Sequence, residues 1–109
     1  MYQEAINAYD MVIKYNATDK NLYLNKGTSS YEMGKYKEAI NAYNIYIWSN
    51  PSPTKLAIAY NKKGKALAKL SRHAEAIQAF DKALKYKTDY PEATEQKNAS
   101  LKFLKDLKS

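Results

Sequence analysis

The sequence predicts an all-α fold in which antiparallel helical hairpins stack one after another. Three observations support this fold class. A segment at residues 2–10 returns at 36–44 with seven of nine residues identical, and a related segment follows at 73–81. Apolar residues within each copy recur every three or four residues, which is the period of an amphipathic helix. The 109-residue chain contains only three glycines and three prolines, too few to reverse the many short strands of a β-sandwich or barrel.

A second recurring segment lies between these copies, because the pattern at residues 23–27 returns at 60–64. Two different helices therefore alternate along the chain, and one pair of them makes a repeat unit. We predict helices at about residues 2–16, 20–33, 36–48, 53–70, 73–86 and 90–107.

The turns between the predicted helices contain residues that favour helix ends. Gly34 and Ser71 stand at matching places within two units, and Gly34 suits the left-handed conformation that commonly ends a helix. Ser52 and Pro53 suit the N-cap and first turn of the next helix. Residues 89–92 resemble a capping box that opens the last helix.

Small residues recur where neighbouring helices must approach each other closely, and large aromatic residues recur opposite them. The small residues are Ala5, Gly27, Ala39, Gly64 and Ala76, and the large partners are Tyr9, Tyr43 and Phe80. We expect most of the eleven tyrosines to serve helix packing.

This pattern resembles the tetratricopeptide repeat (TPR), a helix-turn-helix unit of 34 residues. In the middle unit, the positions that carry the resemblance are Tyr23, Gly27, Ala39, Tyr43 and Pro51. In the next unit they are Tyr60, Gly64, Ala76 and Phe80, with Thr88 in place of the proline. The resemblance implies that the hairpins form a right-handed TPR superhelix, an α-solenoid.

The repeat pattern divides the chain, which we expect to be a single TPR domain or a fragment of one. Residues 1–19 are the second helix of a truncated repeat, 20–53 and 54–90 are complete repeats, and 91–109 form a C-terminal capping helix. The helix at 2–16 lacks the partner that would precede it, so we expect self-association through this helix.

Composition narrows the possible classes of function. Residues 1–50 hold five lysines and five acidic residues, whereas 51–109 hold thirteen basic and six acidic residues, so the second half carries the net charge of +7. The longest apolar run is five residues, far short of the roughly 20 that a membrane helix needs. The absence of cysteine and of a visible secretory signal favours a cytoplasmic protein.

Catalytic motifs are missing from the sequence. His73 is the only histidine, and it takes the place of Tyr2 and Tyr36 in the other copies, which favours a packing role. No set of residues suits a nucleophile, a general base or a metal site. We therefore expect no enzymatic activity, no cofactor and no metal.

Recognition of a protein partner is the favoured function. In TPR domains the first helices of successive hairpins line a concave groove that commonly binds extended peptides or partner helices. By register, the peptide-binding residues implied by the resemblance are Asn21, Asn25, Thr28, Ile58, Asn61, Lys62, Lys65, Lys69, Gln96 and Phe103. The three lysines suggest an acidic peptide, because ammonium groups bind carboxylates.

Two alternatives remain open. The basic C-terminal half would bind nucleic acid through residues Lys62, Lys63, Lys65, Lys69, Arg72, Lys82, Lys85 and Lys87. We consider nucleic acid the less favoured partner, because only one of these residues is arginine and no nucleic-acid motif is present. The other alternative is a purely structural segment of a longer repeat array.

Overall fold

The structure, a computed structural model, describes residues 20–108. This range contains five α-helices and no β-strand. They are α1 (Asn21–Glu32), α2 (Tyr36–Trp48), α3 (Pro53–Lys69), α4 (His73–Tyr86) and α5 (Pro91–Leu107). The predicted helices in this range are confirmed, with every end within one residue of its expected position. The predicted helix at 2–16 and its self-association contact lie outside the described residues, and the boundaries of the repeat units stay a prediction.

The helices form a stack with an inner and an outer layer. Each helix packs mainly against its neighbours in sequence, but α1 also contacts α3, and α3 also contacts α5. No such contact joins α2 to α4 within the described range. The first helices of the hairpins are therefore closer together than the second helices, so α1, α3 and α5 form the inner face. None of the described helices is long and apolar enough to span a membrane.

Pairs of a glycine and an aromatic ring hold the two helices of each hairpin together. A Cβ atom at Gly27 would lie 2.5 Å from Cε1 of Tyr43, and one at Gly64 would lie 2.5 Å from Cε1 of Phe80. The two rings are buried, at 1% and 0% exposure, and contribute to a shared hydrophobic core. The predicted pairing of small residues with large aromatic partners is confirmed at both places.

Left-handed residues end α1 and α3. Gly34 has a φ of 78° and Ser71 has a φ of 61°. The amide that follows each of them turns back to the helix, with Lys35 N–H donating to the Ser30 carbonyl at 2.8 Å and Arg72 N–H to the Leu67 carbonyl at 2.9 Å. This is the Schellman arrangement, which satisfies carbonyl groups at the end of a helix. The expectation for Gly34 is confirmed, and Ser71 adopts the same conformation despite its side chain.

The helix starts differ from the expected capping pattern. Ser52 and Pro53 do begin α3, but the Ser52 side chain makes no capping hydrogen bond. The predicted capping box at 89–92 is wrong, because Tyr90 is the N-cap residue of α5 and makes no side-chain cap. The Glu92 carboxylate bonds to Lys65 of α3 instead, because an ammonium group stabilises it more than a neutral amide does.

Candidate peptide-binding groove

Two recesses lie side by side along the inner face, and together we call them the inner groove. The first, between α1 and α3, encloses about 50 Å3, and the second, between α3 and α5, encloses about 360 Å3. Tyr31 and Lys65 line both recesses, so they form one continuous surface. Six of the predicted site residues line this surface: Thr28, Lys62, Lys65, Lys69, Gln96 and Phe103.

The other four predicted site residues lie elsewhere. Asn21 lines a separate recess with Pro51 at the start of α3. Asn25 is exposed on α1 and Ile58 is half-buried on α3, both outside the two recesses. Asn61 is only 2% exposed, so its amide is not open to the inner groove.

Asn61 is buried beneath the start of α5. A helix turns by about 100° at each residue, so the position before Lys62 faces the neighbouring helix rather than the inner groove. A hydrogen bond from the Asn61 side chain lowers the pKa of Glu92, where Lys65 has the larger effect. Its Oδ1 atom has no hydrogen-bond partner among the described residues. Asn61 thus serves the contact between α3 and α5.

Lys65 connects the three inner helices. Its Nζ atom donates a hydrogen bond of 3.0 Å to Oε1 of Glu92 on α5, and it lies 5.8 Å from the centroid of the Tyr31 ring on α1. Burial opposes the charge on Lys65, but the hydrogen bond and negative charge of Glu92 outweigh it and raise the pKa of Lys65. The same hydrogen bond lowers the pKa of Glu92. Lys65 is therefore already paired with a carboxylate of the protein.

Lys62 and Lys69 are the available cations of the inner groove. They lie on α3 on either side of Lys65 in sequence, Lys62 half-buried and Lys69 exposed. Neither forms an ion pair with another residue of the described range. With Glu32 and Glu92 as the nearby carboxylates, the surface holds three positive and two negative side chains. Its charge favours an acidic ligand.

His73 and Phe103 form the aromatic wall of the second recess. Their ring centroids are 4.1 Å apart, and Nδ1 of His73 lies 3.1 Å from Oγ of Ser100. The packing role predicted for His73 is confirmed, since the ring joins α4 to α5. Phe103 remains 44% exposed and offers apolar surface to a ligand.

Several residues that line the inner groove are not among the predicted site residues. Tyr31 lies one helical turn after Thr28, so the helical period could have identified it. His73 and Ser100 could not be identified in this way, because their place depends on how α4 and α5 cross.

Basic residues outside the inner groove are spread over several surfaces. Lys63 and Lys82 line a cleft on the outer side, and Lys85 and Lys87 lie over the rings of Tyr86 and Tyr90. The residues of the nucleic-acid alternative therefore do not form one continuous patch. Among the described residues, no group of three or more metal-ligating side chains is close enough to hold a metal ion.

Comparison with known sequences identifies a family. The model for the family described as tetratricopeptide repeat matches residues 24–94. No curated protein matches the sequence significantly.

Solved structures with a similar fold include TPR domains and the protein MamA. The first TPR domain of Spaghetti (RPAP3), bound to the HSP90 peptide SRMEEVD, has a TM-score of 0.84 and 22% identity, over 94% of this chain and 79% of its own. MamA has a TM-score of 0.86 and 23% identity, over 94% of this chain but only 58% of MamA. The second TPR domain of human RPAP3, in complex with the HSP70 peptide SGPTIEEVD, has a TM-score of 0.82 and 22% identity, over 91% and 80% of the two chains. At these identities, the likeness concerns the fold alone.

Proposed function

This chain belongs to the tetratricopeptide repeat family, and we propose that it is a protein-interaction module whose inner groove binds an acidic peptide. The observation that carries this proposal is the row of Lys62, Lys65 and Lys69 on α3, between the walls formed by α1 and α5. A peptide that lies along the inner groove brings its carboxylates to these ammonium groups.

Charge alone gives weak binding, because an exposed ion pair contributes only about 0–1 kcal/mol. Apolar contacts with Tyr31 and Phe103 add affinity, since both rings line the second recess. The Gln96 amide can both donate to and accept from a peptide backbone. Lys65 binds a ligand only if the ligand carboxylate displaces Glu92, so Lys62 and Lys69 make the first contacts.

The comparisons support a peptide ligand with acidic residues. The peptides in the two RPAP3 structures both end in Glu-Glu-Val-Asp. Those peptides belong to the structures of other proteins, and one of them, SRMEEVD, provides a first probe for this chain. The inner groove of this chain holds cations at Lys62 and Lys69 that suit such a sequence.

The test compares two variants that each lose two positive charges. Lys62→Ala/Lys69→Ala removes two cations of the inner groove, and Lys37→Ala/Lys85→Ala removes exposed lysines of the outer helices α2 and α4. The probe is a fluorescein-labelled SRMEEVD peptide, followed by anisotropy near physiological salt. We expect the first variant to bind roughly tenfold more weakly and the second within about twofold of wild type.

Three results would contradict the proposal. Equal weakening in both variants would mean that net charge, not the inner groove, attracts the peptide. If the protein binds oligouridylate RNA but not the SRMEEVD peptide, the nucleic-acid alternative is favoured. If the wild-type protein binds neither probe, the inner groove is not a site for acidic peptides, and the purely structural alternative is favoured for it.

A further inference from the structure

A second concave surface lies on the opposite side of the molecule from the inner groove. The outer helices α2 and α4 do not contact each other within the described range, and α3 lies beneath the gap between them. A cleft of about 190 Å3 opens there, and we call it the outer cleft. Its lining includes Ile47 of α2, Tyr60, Lys63 and Leu67 of α3, and Ala79 and Lys82 of α4.

Two ammonium groups of the outer cleft, on Lys63 and Lys82, have no carboxylate partner among residues 20–108. Lys63 is half-buried, and its burial and the nearby charge of Lys82 lower the pKa of Lys63 more than the charge of Glu75 raises it. Neither lysine forms an ion pair among the described residues. Glu75 also lines the cleft, but its carboxylate accepts hydrogen bonds of 3.0 and 2.6 Å from the Arg72 guanidinium. The cleft therefore has an unmatched positive charge that favours an anionic group.

The space between the lysines suits one apolar side chain. Leu67 and Ala79, which are 2% and 5% exposed, lie at the apolar base of the cleft, and its walls are mostly polar. An apolar cavity of about 150 Å3 is large enough to hold benzene. The outer cleft, at about 190 Å3, thus has room for one aromatic or branched aliphatic side chain.

Nucleic acid fits this surface less well than protein does. Single-stranded nucleic acid binds by stacking its bases on open aromatic rings. The Tyr60 ring is already stacked on Tyr86 at 6.0 Å, and Lys82 lies over it at 5.5 Å.

We propose that the outer cleft is a second protein-binding site, which takes an apolar side chain of a partner where that side chain is flanked by carboxylates. The apolar side chain enters the space above Leu67 and Ala79, and the carboxylates pair with Lys63 and Lys82. This site shares none of its lining residues with the inner groove and does not depend on the function proposed for it.

The experiment is an amide NMR titration with synthetic peptides that contain no second acidic segment. The first probe has the core Asp-Leu-Asp, the second has Asp-Ala-Asp, and the third has Lys-Leu-Lys. We expect the first probe to shift the amides of Gln78, Ala79 and Lys82, with smaller changes at Thr28 and Gln96. Affinity should fall at least fivefold for the second probe and be lost for the third.

Reciprocal variants separate the two sites. Lys63→Gln/Lys82→Gln should weaken binding of the Asp-Leu-Asp probe about tenfold. Lys62→Gln/Lys69→Gln loses the same charge, but its affinity for this probe should stay within about twofold of wild type. Melting temperatures check that each variant is folded. If Lys63→Gln/Lys82→Gln does not fold, the single variant Lys82→Gln replaces it in the titration. The proposal is wrong if the Leu and Ala probes bind equally, if oligouridylate RNA shifts the same amides with equal affinity, or if the shifts occur only in the inner groove or nowhere.

Discussion

The Tyr43 ring occupies the space that a side chain at Gly27 would need, with Cε1 only 2.5 Å from the position of a Cβ atom. Phe80 and Gly64 repeat this relationship in the next hairpin at the same distance. The glycines are therefore required by the approach of a ring to the helix backbone. This relationship explains why Gly27 and Gly64 recur at the same place in both units.

We predict that Gly64→Ala destabilises the protein. Alanine favours a helix by about 1 kcal/mol over glycine, but overpacking of a filled core costs about 1–3 kcal/mol. Because Phe80 is fully buried and cannot turn into solvent, overpacking should outweigh the gain in helix propensity, and the free energy of unfolding should fall by up to about 2 kcal/mol. Urea denaturation followed by circular dichroism measures this change.

A smaller side chain opposite the glycine provides the control. Phe80→Leu makes room at the contact. Gly64→Ala should therefore lower the free energy of unfolding less in the Phe80→Leu background than in wild type. Equal costs in both backgrounds would show that the ring is not the reason for glycine.

Gly34 and Ser71, the left-handed residues that follow α1 and α3, should respond to substitution with opposite signs. The left-handed conformation costs about 1–2 kcal/mol for a residue with a side chain, and the extra flexibility of glycine in the unfolded chain offsets part of this. Ser71→Gly should therefore stabilise the protein by about 0.5–1 kcal/mol, and Gly34→Ala should destabilise it by a similar amount. Denaturation midpoints that shift in the same direction for both variants would contradict this account.

The sequence predicted the helices well because several of their ends coincide with a local cause. Gly34 ends α1 and Pro53 begins α3, and these residues act through their own backbone angles. The site was less predictable, because its chemistry depends on residues far apart in sequence. The ion pair between Lys65 and Glu92 joins residues 27 positions apart, and nothing in either local pattern indicates the contact.

Burial of Tyr43 should make the protein sensitive to alkali. Burial raises the pKa of Tyr43 to about 12, with smaller effects from its hydrogen bond to Thr28 and from nearby charges. The unfolded chain ionises this tyrosine near pH 10, so stability is present below about pH 10 and is lost as the pH rises to about 12. The loss from this group is on the order of 2–3 kcal/mol.

Tyr43→Phe should remove this part of the loss of stability at alkaline pH. Urea denaturation at several pH values between about 8 and 12 measures it, with Tyr23→Phe as the control at a half-buried tyrosine of α1. If the two variants lose stability in parallel above about pH 10, then Tyr43 is not the responsible group.

Glu92 should contribute to stability at neutral pH and not in acid. The hydrogen bond from Lys65 lowers the pKa of Glu92 in the folded protein, so its contribution is present above about pH 4.3, the unfolded value, and disappears as the pH falls below it. The side chains of Lys65 and Glu92 are 33% and 49% exposed, so solvent screening limits the contribution to less than about 1 kcal/mol. Glu92→Gln should lower the unfolding free energy at neutral pH but not in strong acid, whereas Glu95→Gln should have little effect at either.

The same substitution should improve binding if the inner groove binds acidic peptides as proposed. Glu92 competes with a ligand carboxylate for Lys65, because an ammonium group that already donates a 3.0 Å hydrogen bond to Glu92 must release it before it can bind a peptide. Glu92→Gln removes this competition and one negative charge, so affinity for the SRMEEVD peptide should rise about three- to tenfold. Glu95→Gln removes the same charge from an exposed position of α5 and controls for long-range attraction. Anisotropy titrations of both variants decide the matter: an equal gain in both would show that Lys65 takes no direct part in binding, and a gain confined to Glu92→Gln would mean that the protein's own carboxylate limits its affinity for the ligand.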